Sequence, residues 1–553
     1  MKYFVTLCLV AALTCCTSTE PITKKNKADD TAKLEEVVVV GYSSPQRQLQ
    51  GRVQGVAVGK RARSKVVTTA YDREDEFNTE DYSAITENRF KEASENPLST
   101  FSIDVDGASY SNVRRFLTSG QLPPAGSVRI EEMINYFHYD YPQPLNEQPF
   151  SINTEMAACP WNNKHKLVMI GLQGKRISTE DLPASNLVFL IDVSGSMEYE
   201  NKLPLVKSSM KLLVDQLREM DKVSIVVYAG NAGLVLSPTH GDNKTKIKEA
   251  IDGLEAGGST AGGEGIKLAY DIARQNFMKG ANNRVILCTD GDFNVGMSSD
   301  AELEKLIEEE RKSGVFLTVL GYGMGNYKDN KMQTLADKGN GNHSYIDNIN
   351  EAKKVLVNEF GGTLFTIAKD VKLQVEFNPS KVQAYRLVGY ENRLLNKEDF
   401  NNDLKDAGDI GSGHTVTALY ELIPVGVKSN FIERTDPLKY QRSNQSLSFG
   451  DEIMNVKIRY KSPEASQSKL LEHPINDNAV AENKASDNFR FVSAVAQFGM
   501  LLTNSEFKQG ASFSQALVSA QNALGTDKEG YRAEFLKLVK NAEELMDVAR
   551  SER

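Results

Sequence analysis

An uninterrupted apolar run, Leu187-Val188-Phe189-Leu190-Ile191, ends in Asp192-Val193-Ser194-Gly195-Ser196-Met197, and a helical pattern from Leu203 to Met220 begins shortly after it. Such a run reads as a strand buried on both faces of a parallel sheet, because a strand with one wet face would alternate apolar and polar residues. A strand feeding a short loop and then a helix is the repeating unit of an α/β fold. It sets Asp192, Ser194 and Ser196 at the strand's carboxyl end, the edge where open α/β sheets hold ligands.

Two later stretches carry matching chemistry. Gly257-Gly258-Ser259-Thr260-Ala261-Gly262-Gly263 is a glycine-rich loop opening a helix, and Val285-Ile286-Leu287-Cys288-Thr289-Asp290 is a second buried strand ending in an acid. Asp192, Ser194, Ser196, Thr260 and Asp290 form an all-oxygen donor set suited to a hard octahedral cation, Mg²⁺ or Mn²⁺. A Ser/Gly-rich turn alone is explained by helix capping. Three such elements, in order and on strand ends, argue for a site. The pattern Asp-x-Ser-x-Ser, then Thr, then Asp resembles the metal-ion-dependent adhesion site of the von Willebrand factor type A family. That resemblance implies that Ser194 and Ser196 bind the metal directly and Thr260 directly or through water, with Asp192 and Asp290 acting mainly through water.

Strands predicted at 187–192, 222–229, 284–289 and 315–321, with weaker ones near 232–237 and 343–347, alternate with helices across residues 183–362. This predicts a doubly wound, mostly parallel sheet covered by helices on both faces. After Thr366 the pattern becomes antiparallel β, as in Val371–Phe377, Val382–Tyr390, His414–Leu422 and Asp451–Tyr460, and residues 149–172 share it. The expected fold is therefore an α/β type A domain inserted in a β-sandwich built from flanks 91–182 and 363–485, followed by a helical region, 486–553. Asn96–Tyr110 and Arg129–Phe137 resemble the segment preceding the type A domain in a family of bacterial lipoproteins, and the C-terminal helices resemble that family's domain of unknown function. Asp104 and Asp106 read as a strand end and turn rather than a second cation site, since nothing nearby completes a ligand set.

Met1-Lys2 and the apolar stretch Tyr3–Leu13 fit a signal-peptide core too short to span a bilayer. Leu13-Thr14-Cys15-Cys16 resembles a bacterial lipobox, which makes 1–16 a signal peptide and Cys16 the lipidated residue, with cleavage before Cys15 as the alternative. Two acyl signals are enough for stable anchoring, so a cell-envelope location, lipid-anchored at the outer membrane, is expected. Residues 17–90 are polar and read as a flexible tether. The β-prone segment 35–56, with Glu35-Glu36-Val37-Val38-Val39-Val40-Gly41-Tyr42, resembles the start of the plug domain of TonB-dependent receptors and makes such a receptor a candidate partner.

A net charge of −9, from 65 Lys+Arg and 74 Asp+Glu without a basic stripe, argues against nucleic acid. Cys159 and Cys288, the two cysteines beyond the leader, make no disulfide framework. The six His, at 138, 165, 240, 343, 414 and 473, lack metal-ligand spacing and read as surface or capping residues. No Gly-x-Ser-x-Gly elbow or Gly-Lys-Ser/Thr loop is present, so catalysis is not expected. When neutral hydroxyls contact an ion and carboxylates stand back, the metal keeps positive charge and an open position that a partner's carboxylate can fill. The expected function is capture of a protein partner presenting an acidic residue. Its rivals are a scaffold in which the metal only staples the rim loops and an accessory subunit of an ATP-driven assembly, which a lipid anchor disfavours.

Overall fold

The computed structural model describes residues 79–145, 147–178, 180–258, 262–291, 300–359, 365–432 and 450–551. Cys16, the 35–56 segment and Thr260 lie outside the described residues. The chain opens with β1 (Lys91–Glu92), β2 (Leu98–Ser102), α1 (Ala108–Thr118), α2 (Ile130–Asn135), β3 (Phe150–Cys159) and β4 (Asn162–Gly174).

The α/β block follows: β5 (Ser185–Asp192), α3 (Leu203–Gln216), β6 (Lys222–Tyr228), β7 (Ala232–His240), α4 (Lys244–Asp252), α5 (Gly262–Gln275), β8 (Asn282–Thr289), α6 (Asp300–Arg311), β9 (Phe316–Tyr322), α7 (Asp329–Lys338), β10 (His343–Ile346) and α8 (Ile349–Lys353). Strand order is β10-β9-β8-β5-β6-β7, parallel throughout except for the antiparallel edge strand β7. Every residue of β5 is buried, as an unbroken apolar run at the sheet centre requires. Leu203, Val206 and Met210 of α3 cover one face with Ile247 and Ile251 of α4, and Ile266 of α5, Leu303 of α6 and Leu335 of α7 cover the other.

Next come β11 (Thr366–Phe377), β12 (Val382–Val388), β13 (Gly408–Gly411), β14 (Thr415–Pro424), β15 (Glu452–Lys461) and β16 (Lys469–Asn476). They form two sheets with strands from before the block. One is ordered β1-β12-β14-β4-β3; the other is β13-β11-β15-β16, with β2 also on β11. The β14–β4 pairing, for example Leu419 against Met169, joins segments that the α/β block separates. Phe101, Ile170, Leu373, Phe377 and Tyr420 fill the space between the sheets. Helices α9 (Asp487–Leu502), α10 (Phe513–Gln521) and α11 (Tyr531–Ser551) close the chain. Phe491 and Phe535 join α2's Met133 and the outward side chains Leu167 and Leu419 of the first sheet in a further core.

Two expectations need correction. Residues 79–90 are not tether: Thr79 N–H donates to Gly325 C=O at 2.7 Å, Asp81 bridges Lys328, and Asn88 Nδ2 donates to Gly389 C=O at 2.7 Å. Docking by backbone hydrogen bonds needs no apolar period, so the sequence pattern does not show it. His165 and His343 are not surface residues. His165 is 2% exposed with Nδ1 2.6 Å from Glu421 Oε1, and His343 is 1% exposed with Nε2 2.9 Å from the Tyr327 hydroxyl. In the case of His165, the compensating acid lies on a strand 256 residues away, beyond the reach of a local pattern.

Candidate metal centre

Parallel pairing of β5 with β8, in register through Ile191 and Cys288, brings the carboxyl ends of both strands to one rim. Asp192 ends β5, and Asp290 follows β8; both are fully buried. The chain leaves β5 through Val193 into a short turn, Gly195–Glu198. Two backbone bonds tie this turn to the glycine-rich loop: Gly195 N–H to Gly258 C=O at 3.1 Å and Gly257 N–H to Val193 C=O at 2.8 Å. Thr260 belongs to that loop and lies outside the described residues.

Asp192 is held by protein donors on both oxygens. Oδ1 accepts the Ser194 N–H at 2.9 Å, while Oδ2 accepts the Tyr228 hydroxyl at 3.1 Å and the Thr289 hydroxyl at 3.2 Å. Tyr228 comes from the neighbouring strand β6, and its close fit requires Gly265 on α5, where a Cβ would sit 2.8 Å from the Tyr228 Cβ. Burial, reinforced by the nearby Asp290 carboxylate and opposed by the Ser194 hydrogen bonds, pushes the Asp192 carboxyl up to about 6. Asp290 goes the other way. Burial raises it, but Lys202, Asn326 and Ser196 together bring it below the ordinary range. Lys202 Nζ lies 2.9 Å from Asp290 Oδ2, and Asn326 Nδ2 donates to the same oxygen at 2.9 Å.

The Ser194 and Ser196 hydroxyl oxygens stand 3.2 Å apart. Neighbouring ligands of an octahedral Mg²⁺ at about 2.1 Å from the ion are separated by about 3 Å, so this spacing fits two adjacent coordination positions. The donor chemistry fits as well: two neutral hydroxyls, and two carboxylates that already accept protein hydrogen bonds. A bound divalent ion would supply positive charge at the rim. Ser194 and Ser196 would hold it, Asp192 would orient Ser194 through its backbone N–H, and Asp290 would orient Ser196.

Sequence reasoning found four of these side chains and missed four supporting ones. Tyr228 and Thr289 were detectable as polar residues ending buried strands beside the motif. Lys202 and Asn326 gave no local signal, because what matters is their approach to Asp290 from loops 88 and 36 residues away.

Profile comparison matches residues 186–357 to the von Willebrand factor type A domain, residues 76–169 to a profile described as von Willebrand factor, and residues 362–545 to the C-terminal region of the uncharacterized protein YfbK. YfbK of Escherichia coli K12 is 44% identical over 526 residues, covering 93% of this chain and 89% of its own. The uncharacterized protein sll0103 of Synechocystis is 28% identical over 294 residues, covering 52% of this chain and 64% of its own. A von Willebrand factor type A structure from Catenulispora acidiphila aligns over 81% of this chain and 90% of its own at 14% identity and a TM-score of 0.37, a value from which nothing about function follows. A type A domain places a protein among interaction and assembly proteins. With a type A domain, a matching C-terminal region and near full-length similarity, the chain belongs to the YfbK family of von Willebrand factor type A proteins.

Proposed function

We propose that this protein is a cell-envelope lipoprotein whose type A rim holds Mg²⁺ or Mn²⁺ and, through the ion, captures an acidic group of a partner protein. One observation carries the reading: both Asp192 oxygens are engaged by protein donors while the Ser194 and Ser196 hydroxyl oxygens lie 3.2 Å apart at the same strand end. Such a shell leaves the ion most of its charge and coordination positions to share with a guest. The reading is of a binding protein, not an enzyme.

A structural staple is the rival reading. The backbone bonds from Gly195 to Gly258 and from Gly257 to Val193 argue against it, since they join the first two rim loops without an ion. The anchor belongs to the same proposal: Cys16 would carry the lipid, the outer membrane would be its site, and the 35–56 segment makes a TonB-dependent receptor a candidate neighbour. Metabolic labelling with an alkyne fatty acid should tag the wild type and not Cys16→Ala; release of the protein into the medium would contradict the anchor. For capture itself the test is crosslinking in living cells. Wild type should yield a discrete adduct that disappears in Asp192→Ala and on EDTA treatment, whereas an adduct unchanged by both would leave the staple reading.

A further inference from the structure

Lys202 brings positive charge of its own into contact with Asp290, a carboxylate of the donor set. It precedes α3, is 5% exposed, and directs Nζ to Asp290 Oδ2 at 2.9 Å and Asn326 Oδ1 at 3.1 Å. The ring of Tyr199 lies 5.6 Å from Nζ. The aliphatic stem passes over Gly323, where a Cβ would come within 2.4 Å of Lys202 Cε and 2.5 Å of Cγ. Gly323 also has φ +80°, a conformation that favours glycine. The loop after β9 is thus shaped around a lysine, and it supplies Asn326 to fix that lysine's head.

The consequence is a matter of charge. Hard-cation sites set their affinity largely by the number of negative charges they present. Asp192 and Asp290 present two; the Lys202 ammonium, in contact with Asp290, cancels one. Against the charges of these three described residues, a divalent ion keeps excess positive charge.

Resting on the metal-site reading above, we propose that Lys202 is a tethered counter-cation that lowers the site's affinity for a divalent ion alone, so that the ion is held firmly only when an acidic partner supplies the missing negative charge. Ion and acidic group then bind with positive coupling, each tightening the other by the same factor. The rim remains weakly loaded until a partner arrives, and a basic or neutral surface gains nothing from docking.

Calorimetric titration of Mn²⁺ alone into the full chain tests this, with Lys202→Met, Lys202→Gln, Lys202→Arg and Asp192→Ala. Removal of the positive charge should tighten Mn²⁺ binding by about tenfold or more in the Met and Gln variants, while Arg should reproduce the wild-type affinity. Lys202→Gln retains an N–H donor for Asp290, so the test stands if the Met variant fails to fold, as judged by melting in EDTA. Equal or weaker Mn²⁺ binding by Lys202→Gln would overturn the proposal and make Lys202 a prop for Asp290. If wild type and Asp192→Ala bind Mn²⁺ alike, the metal-site reading fails, and this inference fails with it. Binding lost in Asp192→Ala but unchanged in Lys202→Gln removes this inference alone.

Discussion

Two regions of the molecule gather buried and half-buried carboxylates, and they treat them in opposite ways. At the junction between the α/β block and the sandwich, Arg393 reaches Asp104 at 2.7 Å, Asp337 at 2.8 Å and Asp106 at 2.9 Å. Asp106 is further satisfied by the His343 N–H at 2.8 Å and Gln333 Nε2 at 3.1 Å. Close by, Arg129 pairs with Asp329 at 2.9 Å, and Arg114 binds Glu351 at 2.7 Å and also grips Asp347. Each arginine there binds at least one acid from a distant stretch of chain, so the pairs lock segments together. Among the described residues of the rim the carboxylates are met by hydroxyls, amides and Lys202. Charge that the junction consumes in guanidinium forks is met at the rim only in part, by Lys202, and in the proposed function the rest falls to a guest ion.

The largest expected effect lies at the junction. Arg393→Ala strips the counter-ion from three carboxylates and should cost about 3–5 kcal/mol in urea unfolding, with no recovery on adding Mg²⁺. A loss within experimental error would mean that the two clusters do not differ in kind. At the rim the sign reverses, because the ion is added rather than built in. Mg²⁺ at a hundred times its dissociation constant should stabilise the wild type by about 2.7 kcal/mol, read as a rise in melting temperature, and Asp192→Ala or Asp290→Ala should remove most of it. Gly265→Ala, which drives a Cβ into Tyr228, should cost about 1–3 kcal/mol by overpacking and weaken the Mg²⁺ response through the lost Tyr228–Asp192 bond. A full Mg²⁺ response in that variant would show that Tyr228 does not support Asp192.

The smallest effect is the dependence on pH. With the Asp192 carboxyl up at about 6, the metal-free native state keeps a proton that the unfolded chain has released above about 4. Its contribution to stability in EDTA therefore falls as pH rises through about 4 to 6, and Asp192→Asn should flatten that slope. An ion must displace the same proton, so the Mg²⁺-induced rise should shrink as pH drops below about 6. A rise that grows toward acid pH would contradict this assignment.

The comparison also explains what the sequence could disclose. The rim was legible because its donors lie within a few residues of the ends of apolar strands, Leu187–Ile191 and Val285–Leu287, whose burial follows from composition alone. The β-type stretches on either side of the block were legible for the same reason. The junction was not: Asp104 and Asp106 look like turn residues until folding brings Arg393 to them from 289 and 287 residues away. The supporting shell of the rim shares that limit. Lys202 and Asn326 act through the approach of distant loops to Asp290, and nothing in their immediate neighbours marks them.

The central claim is that a divalent ion sits between the Ser194 and Ser196 hydroxyls. Anomalous scattering from crystals grown with Mn²⁺ tests it most directly. The account predicts a manganese peak within bonding distance of both oxygens in the wild type, and none there in Asp192→Ala. A wild-type crystal with no peak at that position, or a peak unaffected by Asp192→Ala, would contradict it.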